Sequence, residues 1–140
     1  KASYFFKKTG LPSLSDDSGL CIEELNNKPG IHSSRWAKRN GGFNSAMRKI
    51  IKLLKNKSTK AKFVCSLTFQ IDESKKITVQ GEIKGNISFK VLGNKGFGYD
   101  SIFIPKGFKK TFGEMNQKKK LFLDHRYIAF KKLIKRTTVL

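Results

Sequence analysis

From residue 63 to residue 71 the chain alternates. Phe63, Cys65, Leu67, Phe69 and Ile71 fall on one side, and Val64, Ser66, Thr68 and Gln70 fall on the other. Period-two patterning predicts a half-buried strand. A turn over 72–76 leads to Ile77 and Val79, then Ile83, then Ile87, Phe89 and Val91. That spacing predicts three strands in an antiparallel meander. Gly81 and Gly85 inside it mark a bulge or a close approach of another backbone. Over 44–54 the period changes: Ala46, Met47, Ile50, Ile51, Leu53 and Leu54 recur at helical spacing, with lysines and Arg48 mostly opposite and Asn44 as N-cap. A last helix follows Asp124, with Ile128, Ala129, Leu133 and Ile134 as its apolar positions. The opening residues read as the end of a helix, with Gly10 just past its last turn and Pro12 blocking continuation. Leu20, Cys21 and Ile22 make a short buried strand, 26–30 a turn, and 101–105 a buried strand closed by Pro105. Thr111 and Glu114 have capping-box spacing and predict a short helix there.

No repeat or linker interrupts this order, so the 140 residues form one α/β unit. Charge changes the picture more than length does. Thirty Lys and Arg face ten Asp and Glu, a net +20, which favours anionic partners. Only five of the basic residues are Arg, and they and the lysines are spread evenly along the chain. Proteins that read bases lean on Arg, so the charge is not read as a nucleic-acid-binding signal, and nucleic acid is not the expected partner. No apolar run is long enough to cross a membrane and no signal peptide opens the chain. Cys21 and Cys65 sit in apolar stretches and read as free thiols in a reducing compartment.

Against that basic background an acidic doublet stands out. Asp16 and Asp17 lie between Leu14-Ser15 and Ser18-Gly19-Leu20. Locally the composition is that of a turn. Alternatively, two carboxylates suit a hard cation such as Mg²⁺, which takes oxygen ligands together with substrate phosphates. Two distant stretches bear on the choice. Gly96-Phe97-Gly98-Tyr99-Asp100 is neither a Walker loop nor a dinucleotide fingerprint; it either exposes a ring for stacking on a nucleobase or is a tight turn with its aromatics packed inward. Lys118-Lys119-Lys120 followed by His125-Arg126 either gathers phosphate near a helix N-terminus or is a solvated basic face.

Taken together, these stretches resemble the Ham1-like inosine/xanthosine triphosphate pyrophosphatases. The matches run in family order: Leu11-Pro12 through Asp16-Asp17-Ser18-Gly19-Leu20, Pro29-Gly30-Ile31-His32-Ser33-Ser34-Arg35, Gly96-Phe97-Gly98-Tyr99-Asp100-Ser101-Ile102-Phe103, Thr111-Phe112-Gly113-Glu114-Met115, and His125-Arg126. The resemblance implies an ITPase-like α/β fold: a mixed central sheet, flanking helices and an antiparallel meander arm through which two copies pair as a homodimer. It implies a cytoplasmic enzyme that hydrolyses ITP, dITP and XTP to monophosphate and pyrophosphate with Mg²⁺. Asp17 would be the catalytic, metal-binding carboxylate, supported by Asp16. Ser18, Phe97, Gly98, Tyr99, Asp100, Lys120, His125 and Arg126 would contact substrate, the last two at the purine. Asp124 stands where the family has Ser, and Ser101 where it has Pro. The family's first strand and its phosphate-gripping loop have no counterpart after Lys1, so the expectation is an N-terminally truncated domain with an exposed hydrophobic face. The rival readings are a non-catalytic nucleotide- or nucleic-acid-binding module and an inactive fragment.

Overall fold

The structure, a computed structural model, describes residues 1–139. In chain order it contains α1 (Ala2–Thr9), β1 (Ser13–Ile22), β2 (Lys28–Gly30), α2 (Ser33–Arg39), α3 (Phe43–Leu53), β3 (Lys60–Gln70), β4 (Lys76–Ile87), β5 (Phe103–Pro105), α4 (Gln117–Leu121) and α5 (His125–Thr137). The strands form one sheet in the order β2-β1-β3-β4-β5. Every pairing is antiparallel, so the parallel neighbours of a mixed sheet do not occur among the described residues.

Several local expectations hold for the reasons given. Gly10 takes a left-handed conformation (φ 70°) and donates its N–H to Phe6, closing α1. Asp124 caps α5 by accepting from the Tyr127 N–H at 2.9 Å. Pro105 ends β5. Others are corrected. The acidic doublet is not a turn. It lies in the middle of a ten-residue strand whose every position has a partner on β3, from Ser13 opposite Gln70 to Ile22 opposite Ala61. That continuous ladder outweighs the weak local preference of Asp, Ser and Gly. The meander has two long strands, not three short ones. β4 runs unbroken to Ile87, and exposed Phe89 lies beyond it. Neither glycine makes a bulge; both mark close approach. A Cβ at Gly81 would collide with the backbone of α5 at His125 and Ala129, and one at Gly85 with that of Ile104 on β5. The Thr111–Glu114 capping box closes reciprocally, at 2.8 and 3.2 Å, without a helix following it. The nearest helix, α4, starts at Gln117 with Asn116 as its cap. Gly42, not Asn44, precedes α3.

One face of the sheet is covered and the other largely open. Leu20, Ile22 and Phe63 meet Ile50, Leu54, Phe103 and Phe112 in the main core. Further along the same face Cys65, Leu67 and Val79 pack on Ala129 and Leu133 of α5. On the opposite face α1 covers one end only, where Ser3 donates to Gln70 at 2.6 Å and Ala2 is buried. The β1 edge away from β3 is paired with β2 only over Leu20–Ile22. Near that bare edge and on α1, Tyr4, Phe5, Leu11 and Leu14 are exposed.

Candidate functional site

Strand alternation divides the acidic doublet between the two faces. Asp16 and Ser18 turn toward α5, sharing a face with Leu67 and Cys65 opposite them. Ser18 donates to Asp16 at 2.6 Å, and the Arg126 Nε donates to it at 2.9 Å. Burial pushes the Asp16 carboxyl up, but the Ser18 hydrogen bond and the Arg126 guanidinium outweigh it and hold it below the usual carboxylate range. Asp17 turns the other way and pairs with Lys1 at the start of α1. Its side chain is 52% exposed. Each acid thus has a cationic partner: Asp16 is held by Arg126 beside the cleft, and Asp17, the more exposed of the two, by Lys1 on the other face.

Next to Asp16 lies a cleft of about 170 Å³ whose walls come from sequence-remote segments: Ser18, Gly19 and Leu20 of β1, Ser33 and Ser34 of α2, Phe43 of α3, Phe63 of β3, the 97–100 loop, and His125-Arg126 of α5. Phe97 is exposed at its mouth, with the Arg126 guanidinium 5.1 Å from the ring centroid. Tyr99 is turned inward; its hydroxyl donates to the Ser33 carbonyl at 2.8 Å, and burial pushes it up to about 12. Both alternatives for this loop are therefore realised, one ring outward and one inward.

Asp100 and Lys120 meet each other at 2.6 Å and are both buried. The same Asp100 oxygen accepts from the Phe97 N–H at 3.0 Å, and Lys120 lies between the rings of Phe97 and Phe112. Gly96, at φ 73°, leaves room for that carboxylate, which a Cβ would strike. Lys120 is thus a strut beneath the loop, outside the cleft lining, and Asp17 also lies outside that lining.

His125, the first residue of α5, is buried and stacks on Phe63 at 4.9 Å with a 13° interplanar angle. Burial and the neighbouring Arg126 charge lower it to about 4, so it is neutral near pH 7. Its Nε2 lies 3.5 Å from Arg126 Nη1, and its buried Nδ1 has no hydrogen-bond partner among the described residues. A neutral ring, a guanidinium and an outward phenyl in one cleft can stack a flat base and offer hydrogen bonds to its edge.

Sequence reasoning did not assign Ser33, Ser34, Phe43 or Phe63 to the site. Ser33 binds three segments together: its Oγ donates to the Gly30 carbonyl and accepts from the Leu20 N–H, and its own carbonyl holds Tyr99. The only signal for it was its place in the Pro29–Arg35 match. Phe63 read as core from its alternation, and it is both core and floor.

The model of the Ham1 family matches residues 1–136. This chain belongs to the Ham1 family. Among curated relatives, proteins named dITP/XTP pyrophosphatase from Zymomonas mobilis and Rhodospirillum centenum are each 38% identical, over 96% and 91% of the chain. The chain spans 66% and 65% of their lengths, about two thirds. Among solved structures, a HAM1 protein from Coxiella burnetii superposes with a TM-score of 0.91 at 33% identity, covering 99% of this Ham1-family chain and 73% of that one. The Staphylococcus aureus Ham1 protein gives 0.88 at 30% identity, covering 94% and 69%.

Proposed function

We propose that this Ham1-family chain carries the purine-recognising part of an enzyme that hydrolyses non-canonical purine nucleoside triphosphates (ITP, dITP and XTP) to monophosphate and pyrophosphate. What supports the reading is the convergence of Ser18, Phe97 and His125-Arg126 on one cleft. Similar proteins carry the name dITP/XTP pyrophosphatase.

In this reading the base stacks at Phe97 and meets donors from the His125-Arg126 pair. A 6-oxo group accepts from them, whereas the 6-amino group of adenine would place donor against donor. The Asp100–Lys120 strut holds Phe97 and Gly98 in place, and Tyr99 anchors the loop to α2. The triphosphate runs past Ser18 and over the bare β1 edge to reach Asp17 on the far side. Asp17 orients or deprotonates the attacking water.

Among the described residues no three acidic, His or Cys side chains gather as a metal site. One exposed carboxylate is still within what Mg²⁺ uses when substrate phosphates complete its shell. Asp17, the more exposed acid, fits that part once the ion takes the place of its Lys1 contact, whereas Asp16 is held by both Ser18 and Arg126. When bound, the metal supplies charge neutralisation on the phosphates. We place the enzyme in the cytoplasm with the nucleotide pool, as a homodimer. Among the described residues no helix is long and apolar enough to cross a membrane.

The test is pyrophosphate release from ITP, XTP, GTP and ATP, with and without Mg²⁺. ITP and XTP are expected to turn over faster than ATP, and Asp17→Asn to lower the rate by about 10²-fold or more. Equal turnover of ATP and ITP would overturn the purine assignment, and full activity of Asp17→Asn the catalytic one.

A further inference from the structure

A second cavity is roomier than the cleft. It lies on the open face of the sheet, has a volume of about 640 Å³, and is walled by Cys21, Lys60, Lys62, Lys84, Asn86 and Lys106, with Glu23 as the one acid against four lysines. The register explains the crowding. Cys21 is directly opposite Lys62, which is directly opposite Lys84, and Lys60 is opposite Asn86. The Lys106 N–H donates to the Lys84 carbonyl at 2.9 Å, which brings a fourth lysine alongside. Of these four, only Lys62 has a carboxylate within ion-pairing distance among the described residues, Glu82 at 3.0 Å.

Like charges directly opposite on neighbouring strands destabilise a sheet. A concave wall focuses their combined potential outward. We propose that this cavity is an anion site for a short oligophosphate, free or as the tail of a nucleotide, separate from the cleft on the other face. Phosphate oxygens accept several charge-assisted hydrogen bonds at once, and lysine ammonium groups meet them as mobile point charges. Among the described residues no aromatic side chain and no Arg lines the cavity. It therefore lacks the stacking platform that a single-stranded nucleic acid uses.

Cys21 is a reporter built into the wall. It is half-buried there, while Cys65 is fully buried elsewhere. Alkylation requires the thiolate, so an anion seated beside Cys21 hinders the reagent and disfavours the reactive form. The experiment follows alkylation of Cys21 by iodoacetamide, by mass spectrometry at fixed pH and ionic strength. Inorganic triphosphate is expected to slow it at least about threefold relative to chloride. ATP is expected to slow it equally, since only its phosphates are gripped. The Lys62→Ala/Lys84→Ala double variant is expected to lose the effect. Lys84→Gln, which leaves the Lys62–Glu82 pair in place, weakens it, and Lys84→Arg keeps it. Arg126→Ala, which alters only the cleft, leaves the protection intact. Equal slowing by chloride, persistence of protection in the double variant, dependence on the base, or loss in Arg126→Ala would each overturn the site. The last result would place the effect in the purine cleft without touching the proposal for that cleft.

Discussion

On the covered face of the sheet Lys120 and Asp100 meet at 2.6 Å with side chains 8% and 6% exposed; on the open face Lys62 and Glu82 meet at 3.0 Å with 38% and 45% exposed. The partners and the geometry are alike, and the surroundings differ. In the first pair both charges have left water, so neither tolerates loss of the other. In the second, water and salt screen both, and the pair contributes little. Burial, not the count of ion pairs, decides which charged residues this fold depends on.

The sharpest way to break that comparison is to remove one buried partner. Lys120→Met leaves Asp100 charged and unpaired under the Phe97 loop, and is expected to cost about 3–5 kcal/mol in urea denaturation. The double variant Asp100→Asn/Lys120→Met is expected to recover a large part of that. The coupling in the resulting cycle measures the pair itself. Additive losses would mean that the two residues act independently.

His125 extends the contrast to pH. Its folded value is about 4, against 6.5 for the free side chain. The unfolded chain therefore binds a proton between those values while the folded chain does not, and stability rises with pH across the window. The stability is complete above 6.5 and is lost as the pH falls toward 4. Its size is about 3 kcal/mol. Comparing denaturation midpoints near pH 7 and near pH 4.5 should show the slope in the parent and a flatter one in His125→Gln. The stability that Asp16 contributes is lost only below the ordinary carboxylate value of 3.8, as the pH falls toward its depressed folded value and outside the range compared, so the difference between the two proteins isolates the histidine.

Gly81 comes next in size. Gly81→Ala drives a methyl into the α5 backbone at His125 and Ala129. The expected loss is about 1–3 kcal/mol. Because α5 carries His125 and Arg126, KM for ITP should rise as well. A variant with parent stability would mean that α5 yields freely.

How far these features could be read beforehand depends on what each rests on. The α5 cap, the Gly10 stop and the 63–71 alternation depend on neighbours in sequence and were legible. The close approach at Gly81 was legible as a glycine without a local reason. The strand through Asp16 and Asp17 was not, because its cause is the β3 ladder, and a local reading of Ser-Asp-Asp-Ser-Gly sees only a turn. The same holds for the site. The resemblance supplied the residue names, but their division of labour follows from strand parity and burial. Asp16 is held by Arg126, Asp17 meets Lys1 on the far face, Phe97 points out and Tyr99 in. Lys120 read as one of three lysines that either gather phosphate or are solvated, and the resemblance made it a substrate contact. Only the loop closing over it makes it buried.

The smallest effects lie on the open face, and they test the comparison from its weak side. Lys62→Ala removes the hydrogen bond to Glu82 and also the repulsion with Lys84 across the strands, so its net change is expected to stay within about 1 kcal/mol. Lys84→Ala removes the same repulsion and leaves the Lys62–Glu82 bond intact. It is therefore expected to be the more stable of the two, by a few tenths of a kcal/mol at low ionic strength. At about 1 M salt the Debye length is about 3 Å, so the advantage should shrink toward zero. Urea midpoints of both variants in low and high salt decide this. An advantage that survives high salt would mean the two lysines differ in packing rather than in charge. A large loss in either variant would show that the open face, too, depends on its ion pair, and that exposure is the wrong guide to which charges matter.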